Sequence, residues 1–377
     1  MEVYFDNSST TFPKPKIVAN SMYDYMVNIG GNANRASSSN SLKTSRLLLS
    51  ARETIADFFN YNSSSNVIFT NNITTSLNML IKGLLKDGDH VISSTMEHNS
   101  TLRPLYDCER NLNIELSLIQ ASSTGYIDVN DIKKIIKNNT KLIVLSHASN
   151  VTGSIQNIES IGTLCSENNI FFIVDSAQTA GSLNIDINKI KADAIAFTGH
   201  KSLLGPQGIG GFIINDKLND NCSTIISGGT GSLSHSLIQP DFLPDKFECG
   251  TLNMPGIIGL SSSIKYINEI GIENIEEKLK FLRNALYEGL KNIDDIIVYG
   301  SNTNSTSCIS INHTKIDPSE LCYYLDTNGI RTRSGLHCAP LAHKSIGTYP
   351  IGTVRLSLSY FNTIDEINYV LSKLNNL

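Results

Sequence analysis

The sequence predicts an α/β protein, with a large domain built on a mainly parallel, seven-stranded sheet and a smaller α+β domain after it. Short apolar runs recur at residues 67–70, 91–92, 114–119, 142–145, 171–174, 194–197 and 211–214. Helical patterns separate most of these runs, which is typical of a parallel sheet covered on both faces. After residue 255 the pattern changes to separate groups of helices and strands.

Helices are predicted where apolar side chains recur at helical spacing. One stripe includes Leu47, Leu48, Ala51 and Ile55. In the C-terminal part, helices are predicted at residues 256–270, 273–291, 318–328 and 364–375, with strands at 296–299, 308–311 and 354–357. We therefore expect a large domain over residues 14–260 and a small domain over residues 261–377 that also includes residues 1–13.

Composition and charge limit the cellular compartment and the classes of binding partner that we expect. The net charge of −5, without a run of lysine or arginine, argues against nucleic acid as the main partner. No apolar run approaches the roughly 18 residues of a membrane-spanning helix. The seven cysteines form no CxxC pair, and the first residues lack a signal-peptide pattern. We expect a cytoplasmic protein without a metal site that binds neither membrane nor nucleic acid.

Ligands of a parallel α/β sheet bind beyond the carboxyl ends of the strands, so the residues after each apolar run are informative. The segment Asn71-Asn72-Ile73-Thr74-Thr75-Ser76 follows the first run and opens a helix, where backbone N–H groups and hydroxyls can hold a phosphate. An ordinary helix cap explains the same residues.

The later strands are followed by residues that carry chemistry. His98 follows the second run and Asn150 the fourth. Asp175 ends a strongly apolar run, where a carboxylate needs a cation, although it could also cap a helix. Lys201 follows residues 194–197 and is a candidate for imine formation, although most lysines simply lie on the surface. The glycines at 205–211 open a strand instead of a helix, which excludes a Rossmann nucleotide site.

Together these residues supply what pyridoxal 5′-phosphate (PLP) requires: a phosphate grip, a ring partner, an acid for the ring nitrogen and an imine-forming lysine. Further motifs extend from Tyr4-Phe5-Asp6-Asn7 through Met96-Glu97-His98-Asn99, Asp175-Ser176-Ala177-Gln178, Thr198-Gly199-His200-Lys201 and Phe247-Glu248-Cys249-Gly250-Thr251 to Arg333-Ser334-Gly335-Leu336-His337-Cys338-Ala339-Pro340. On these motifs the chain resembles the class V aminotransferase superfamily of fold-type I PLP-dependent transferases. Within it, the chain is similar to the cysteine desulfurases and selenocysteine lyases, in a group II-like form.

The resemblance implies roles for the cofactor residues. Lys201 would bind PLP covalently, and Asp175 would keep the ring nitrogen protonated, because a nearby anion favours the cation. His98 would stack on the ring and handle protons. Asn150 and Gln178 would contact the ring hydroxyl or the substrate.

The phosphate of PLP would be held by Ile73, Thr74, Thr198 and His200. Thr251 of the partner subunit would complete this grip, so the resemblance also implies a homodimer.

The substrate site follows from the same resemblance. Arg355 would clamp the substrate carboxylate through two hydrogen bonds. Asn32, Arg35 and Arg333 would border the site.

Cys338 distinguishes among the activities of the superfamily. Cysteine is most often a small buried hydrophobe, but His337 and Arg333 beside Cys338 favour the reactive thiolate. The resemblance then implies that L-cysteine is converted to L-alanine, with the sulfur held as a persulfide on Cys338 and passed to an unidentified acceptor protein. Two alternatives are a selenocysteine or cystine lyase on the same scaffold, and a PLP-binding sulfur-delivery protein with little turnover.

Overall fold

The computed structural model describes residues 1–33 and 38–377. Its strands are β1 Val3–Tyr4, β2 Val67–Thr70, β3 His90–Ser94, β4 Glu115–Ile119, β5 Thr140–Ser146, β6 Phe171–Asp175, β7 Ala194–Thr198, β8 Gly210–Ile214, β9 Ile296–Tyr299, β10 Cys308–His313, β11 Ile330–Arg331, β12 Arg333–Gly335 and β13 Thr353–Ser357.

The α-helices alternate with these strands through most of the chain. They are α1 Lys16–Asp24, α2 Ser39–Phe58, α3 Ile73–Leu84, α4 Asn99–Leu112, α5 Val129–Ile135, α6 Ile158–Glu167, α7 Ile187–Ile190, α8 Asp216–Asn221, α9 Met254–Ile270, α10 Ile272–Lys291, α11 Pro318–Thr327, α12 Pro340–Ser345 and α13 Ile364–Asn375. In the described part of the chain, no helix is both long enough and apolar enough to cross a bilayer.

The large sheet has seven strands in the order β2-β8-β7-β6-β5-β3-β4. Strand β8 pairs antiparallel with both of its neighbours, and the other pairs are parallel. Consequently β2 runs in the same direction as the remaining five strands. The α/β fold class with a mainly parallel sheet is confirmed.

Both faces of this sheet are covered, which explains why its strands are apolar without alternation. On one face Leu77 and Leu80 of α3 belong to a buried cluster that includes Phe212 of β8. On the other face Ile55 of α2 and Ile264 of α9 share a second cluster with residues of the strands. The carboxyl edge is therefore the part of the sheet that is left for polar groups.

A second sheet of four strands, in the order β12-β13-β10-β9, forms the C-terminal part of the protein. The N-terminal segment contacts this sheet through the bridge between Asp6 and Ser357 of β13, and β1 pairs in parallel with β11 in a separate two-stranded sheet. The predicted domain boundary at residue 260 falls inside α9, which continues without a break to Ile270. The division into residues 14–260 and 261–377 stays a prediction.

A buried ion pair ties the edge of the large sheet to the segment at residues 247–251. Arg52 of α2 donates to Glu248 Oε1 at 2.9 Å, and the same oxygen accepts from the Phe69 N–H at 2.7 Å. Arg52 and Glu248 are 5% and 8% exposed, so neither charge has much access to water. Removing one partner leaves an uncompensated charge in the interior.

We expect Glu248→Ala to lower the free energy of unfolding by about 3–5 kcal/mol, because Arg52 and the Phe69 N–H both lose their partner. Urea titration of the purified protein measures this change. The matched control is Lys315→Ala, which removes an exposed ion pair with Asp295 and should cost less than about 1 kcal/mol. Equal losses in the two variants would contradict the role of the buried pair.

Candidate active site

The carboxyl ends of the parallel strands bring the predicted site residues to one edge of the sheet. Asp175 is the last residue of β6 and lies in register with Ser146, the last residue of β5. Gly210 of β8 lies in register between Thr70 of β2 and Thr198 of β7. A side chain at position 210 would meet the Asn72 Cα at 3.0 Å, so glycine permits the close approach of these segments.

Lys201 and Asp175 form the electrostatic centre of this edge. Lys201 is half-buried as a residue, whereas its amine lies where water is largely excluded. Burial lowers the pKa of the Lys201 ammonium to about 8, against the opposing effect of the Asp175 carboxylate. Burial also raises the pKa of Asp175, whose Oδ1 accepts from the Ala177 N–H at 2.8 Å. An amine that is easily deprotonated therefore lies near a desolvated acid.

His98 is held with a defined tautomer. It is the N-cap of α4, and its Nδ1 accepts from the Ser100 N–H at 3.0 Å. Burial lowers its pKa to about 4, and the positive charge of Lys201 adds to this fall. The ring is therefore neutral near pH 7, and its proton is on Nε2 because Nδ1 acts as the acceptor.

The turn after β7 contains two polar atoms without a partner in the described structure. Thr198 Oγ1 and His200 Nδ1 are both buried and unpaired. The His200 carbonyl accepts from Lys14 Nζ at 2.7 Å, and burial lowers the pKa of Lys14 to about 8. Buried polar atoms normally have partners, so this turn is arranged for a hydrogen-bonding group that approaches from the site.

The N-terminus of α3 completes the predicted phosphate grip. Asn72 is the N-cap, and its side chain accepts from the Thr75 N–H. Ile73 is buried, whereas Thr74 is exposed in the first turn. The first amides of a helix have no hydrogen-bonding partner within the helix. Helix α3 follows β2, and Gly210 of β8 lies between the end of β2 and Thr198 of β7.

Two arginines lie side by side on neighbouring strands. Arg333 of β12 is in register with Arg355 of β13. Arg355 donates to Asp6 at 2.9 Å and to Ser9 Oγ at 2.7 Å, and Arg333 donates to the same Ser9 hydroxyl at 3.0 Å. The pair thus creates a positive site that a single carboxylate partly neutralises.

The geometry limits how Arg355 can bind a second carboxylate. Its Nη1 donates to the Asn150 carbonyl at 3.2 Å, so both terminal nitrogens are engaged. Its buried Nε has no hydrogen-bonding partner among residues 1–33 and 38–377. A two-pronged clamp would therefore have to replace existing contacts, such as the one with Ser9. Sequence reasoning missed Asp6, Ser9 and Lys14, although all three lie in or beside the N-terminal motif.

Cys338 is exposed on a short loop that is fixed at two consecutive carbonyls. The Cys338 carbonyl accepts from the Asn99 N–H at 2.8 Å, and the His337 carbonyl accepts from Asn150 Nδ2 at 2.7 Å. His337 and Cys338 have φ angles of 48° and 56°, a left-handed conformation that side chains disfavour. These contacts bring the Cys338 loop directly against the segment that carries His98.

His337 does not supply the positive charge that the sequence suggested beside Cys338. It is 6% exposed, and its Nε2 lies 3.1 Å from the Thr353 carbonyl. Burial lowers its pKa to about 2, so the ring stays neutral. Its partner is a backbone carbonyl that sequence reasoning could not identify.

The remaining predicted residues lie in several places. Gln178 Nε2 donates to the Ser8 carbonyl at 3.3 Å, next to the N-terminal segment. Asn32 and Thr251 line a common cleft with Tyr25. Arg35 lies outside the described residues.

Known proteins resemble this chain over nearly its whole length. The family model Aminotransferase class-V matches residues 3–370. A Methanothermobacter thermautotrophicus protein named probable cysteine desulfurase is 35% identical over 371 residues, which cover 97% of this chain and 92% of that protein. A Pyrococcus abyssi protein of the same name is 34% identical over 386 residues, with coverage of 100% and 94%.

Solved structures give the same result. The apo structure of a cysteine desulfurase from Thermococcus onnurineus NA1 has a TM-score of 0.95 with this chain at 32% identity. The match covers 100% of this chain and 94% of that chain.

The pKa of Lys201 can be measured on the cofactor-free protein. Competitive acylation read by mass spectrometry should give half-maximal labelling of Lys201 near pH 8, because burial favours its neutral amine. Asp175→Asn should move this midpoint to lower pH by removing the anion that opposes the shift.

Lys134 is the reference for this experiment, because Asp131 beside it raises the pKa of its exposed ammonium. If Lys201 and Lys134 reached half-maximal labelling at the same pH, the Lys201 amine would not be desolvated.

Proposed function

Since the chain belongs to the class-V aminotransferases and to the cysteine desulfurases among them, we propose that it converts L-cysteine to L-alanine and holds the sulfur on Cys338. The observation that carries this proposal is the position of the Cys338 loop relative to His98 and Lys201. The Cys338 loop hydrogen-bonds to the segment that presents His98, while the deprotonatable amine of Lys201 lies close enough to feel the charge of Cys338. A nucleophilic thiol and an amine base thus face one site.

The residues at the carboxyl edge fit PLP as the cofactor. The unpaired Thr198 Oγ1 and His200 Nδ1 match a phosphate group, together with the amides of Ile73 and Thr74. The buried Asp175 matches a protonated ring nitrogen, which would supply the cation that its burial demands. The neutral His98 would stack on the ring, and Asn150 and Gln178 would lie beside it. Lys201 would hold PLP, and the chemistry that the cofactor would supply is the withdrawal of electrons from the α-carbon of the bound substrate.

Lys201 serves as the base in this proposal. Its lowered pKa makes the neutral amine accessible near pH 8, so Nζ can take the α-proton of the substrate. His98 carries its proton on Nε2 and can donate a hydrogen bond from there toward the substrate. Burial raises the pKa of Asp175, and its hydrogen bonds with Ala177 and Ser100 and the charge of Lys201 oppose this effect and favour the carboxylate.

Sulfur transfer follows at Cys338. The Cys338 thiolate attacks the substrate sulfur, so a sulfur–sulfur bond forms and the Cβ–sulfur bond breaks. The electron pair of the broken bond remains on the substrate carbon, which takes up a proton and leaves as alanine. The transferred sulfur is oxidised and the carbon is reduced, so the step balances without another reactant.

Recognition of the amino acid substrate rests on the arginine pair. Arg355 would bind the substrate carboxylate, and Arg333 would add charge from the neighbouring strand. The carboxylate would compete with Asp6 and Ser9 for these donors. Asn32 and Arg35 would border the site.

A homodimer is part of the proposal, with Thr251 of the partner subunit reaching the phosphate. Its support is a set of large apolar side chains that are exposed in the single chain. Leu237 and Ile238 are 104% and 82% exposed, and Tyr23 and Met26 are 65% and 58% exposed. Apolar groups of this kind mark interaction surfaces.

The free thiols are the basis on which we propose a cellular compartment for the reaction. All seven cysteines are free, which favours a reducing compartment, the cytoplasm. A sulfur-acceptor protein would approach the exposed Cys338. L-selenocysteine is the second candidate substrate, since the same amine and arginines would bind it.

In the decisive experiment, the PLP-loaded protein is incubated with L-cysteine and, separately, with L-selenocysteine. Wild type should release alanine from L-cysteine and add one sulfur to the Cys338 peptide, read by mass spectrometry. Cys338→Ala should still bind PLP but lose at least about 100-fold in alanine release from L-cysteine, because it lacks the thiol that accepts sulfur.

Two further variants serve as controls for this result. Cys322→Ala removes a thiol elsewhere and should keep full activity, whereas Lys201→Ala should fail with both substrates. Full desulfurase activity in Cys338→Ala would refute the nucleophile. Loss with L-cysteine but not with L-selenocysteine would identify a lyase activity toward the second substrate.

The dimer proposal predicts a molecular mass of two chains at micromolar concentration in analytical ultracentrifugation. The double variant Leu237→Asp, Ile238→Asp should shift the protein toward monomer, because each aspartate would place a charge in the interface. Tyr323→Asp, at another exposed aromatic residue, is the control and should leave the dimer intact. A monomeric wild type would contradict the proposal.

A further inference from the structure

A second buried carboxyl lies beneath the site. Glu97 is on the segment between β3 and α4, immediately before His98, and is 1% exposed. Its Oε1 accepts from Ser94 Oγ at 2.6 Å. Its Oε2 accepts from both the N–H and the hydroxyl of Ser146, each at 2.7 Å. Every contact of this carboxyl is therefore to the ends of two strands.

These contacts lead directly to Asp175. Ser146 pairs in register with Asp175, and the next residue, His147, donates its N–H to the Asp175 carbonyl at 2.9 Å. The Ser100 hydroxyl interacts with Asp175 and also lies 2.8 Å from His98 Nδ1. Glu97 thus braces the strand end that aims Asp175, and the same network extends to the ring of His98.

The surroundings of Glu97 suit a neutral acid better than an anion. Among residues 1–33 and 38–377, no ion pair involves Glu97, and its hydrogen-bonding partners are uncharged. Ser94 Oγ accepts from the Met96 N–H at 3.1 Å, and when Glu97 is protonated the same hydroxyl can accept a hydrogen bond from the carboxyl O–H. A buried carboxyl beside another carboxyl tends to keep its proton.

We propose that Glu97 is a positioning residue that braces Asp175 and, by remaining protonated, leaves Asp175 as the only anion beneath the ring. A single anion matches the single positive charge of a protonated ring nitrogen. The proposal deepens the PLP site and rests on it, but the contacts of Glu97 exist in the cofactor-free chain.

The neighbouring ionisable groups support this assignment. Burial raises the pKa of Glu97 to about 7, against the opposing effect of its hydrogen bonds with Ser94 and Ser146, and the Asp175 carboxylate on β6 adds to the rise. His147 at the end of β5 and His98 are neutral near pH 7, because burial lowers the pKa of each to about 4. Lys201 acts on Asp175 and His98. Glu97 therefore gains no compensating cation.

Glutamine at position 97 reproduces the protonated form, since its amide can donate to Ser94 while its oxygen accepts from Ser146. Glu97→Gln should bind PLP within about twofold of wild type, whereas Glu97→Ala should bind at least about tenfold more weakly because the strand end loses its brace. Absorbance titration with PLP measures both dissociation constants. Glu276→Gln, the same substitution at an exposed glutamate of α10, is the control and should not change the affinity.

Unfolding of the cofactor-free protein across pH supplies the second measurement. The stabilisation that Glu97 provides in its protonated form is complete below its unfolded pKa near 4.5 and is lost as pH rises through about 7. Relative to Glu97→Gln, wild type should therefore lose a factor on the order of 50 in its unfolding equilibrium between pH 5 and pH 8.

The outcomes separate the two proposals. A pH-independent difference between wild type and Glu97→Gln, or a PLP affinity of Glu97→Gln as weak as that of Glu97→Ala, would overturn the role of Glu97. If Glu97→Ala does not fold, the pH comparison of the other two proteins still decides. Failure of wild type to bind PLP would refute the cofactor site while leaving the unfolding test of Glu97 intact.

Discussion

The opposition of Lys201 and Asp175 at the carboxyl edge of the large sheet is the constraint on which the remaining structure depends. A parallel sheet covered on both faces leaves only this edge for polar groups, and desolvation there acts on every charge. It lowers the pKa of the lysine and raises that of the aspartic acid, so both approach the range where protons can move. The surrounding hydrogen-bonding residues limit which other charged groups can act on Lys201 and Asp175.

That network works mainly by keeping other groups neutral. His98, His147, His200 and His337 are all desolvated, and each loses its tendency to take up a proton near pH 7. Hydrogen bonds to backbone groups or hydroxyls then fix the tautomer of His98 and the orientation of His337. The site can therefore contain several imidazoles without adding positive charge beside Lys201. The lasting cations are the paired arginines, which lie on the second sheet.

Much of the fold was predictable, because apolar runs bounded by polar residues define buried strands. The predicted ranges of β2 and β9 match the observed ones, and Lys201 and Asp175 follow from their place after strands. The contacts of Asp6, Ser9 and Lys14 were not predictable, since they join segments far apart in sequence. Strand β12 has the sequence Arg-Ser-Gly, which lacks an apolar pattern, and it exists through pairing with β13. The neutrality of His337 was missed because burial cannot be read from its neighbours in sequence.

The contacts of the N-terminal segment have a consequence for how the protein is made. Asn7 Nδ2 donates to the Ser357 carbonyl at 2.8 Å, Asp6 pairs with Arg355, and Thr11 donates its N–H to the His200 carbonyl at 3.0 Å. Two of these bonds join residues 6 and 7 to β13, far along the chain. The large sheet can form while translation continues, but the arginine pair cannot take its final arrangement until residues near 355 have emerged. A nascent chain is therefore unable to assemble the contacts of Arg355 before β13 has been synthesised.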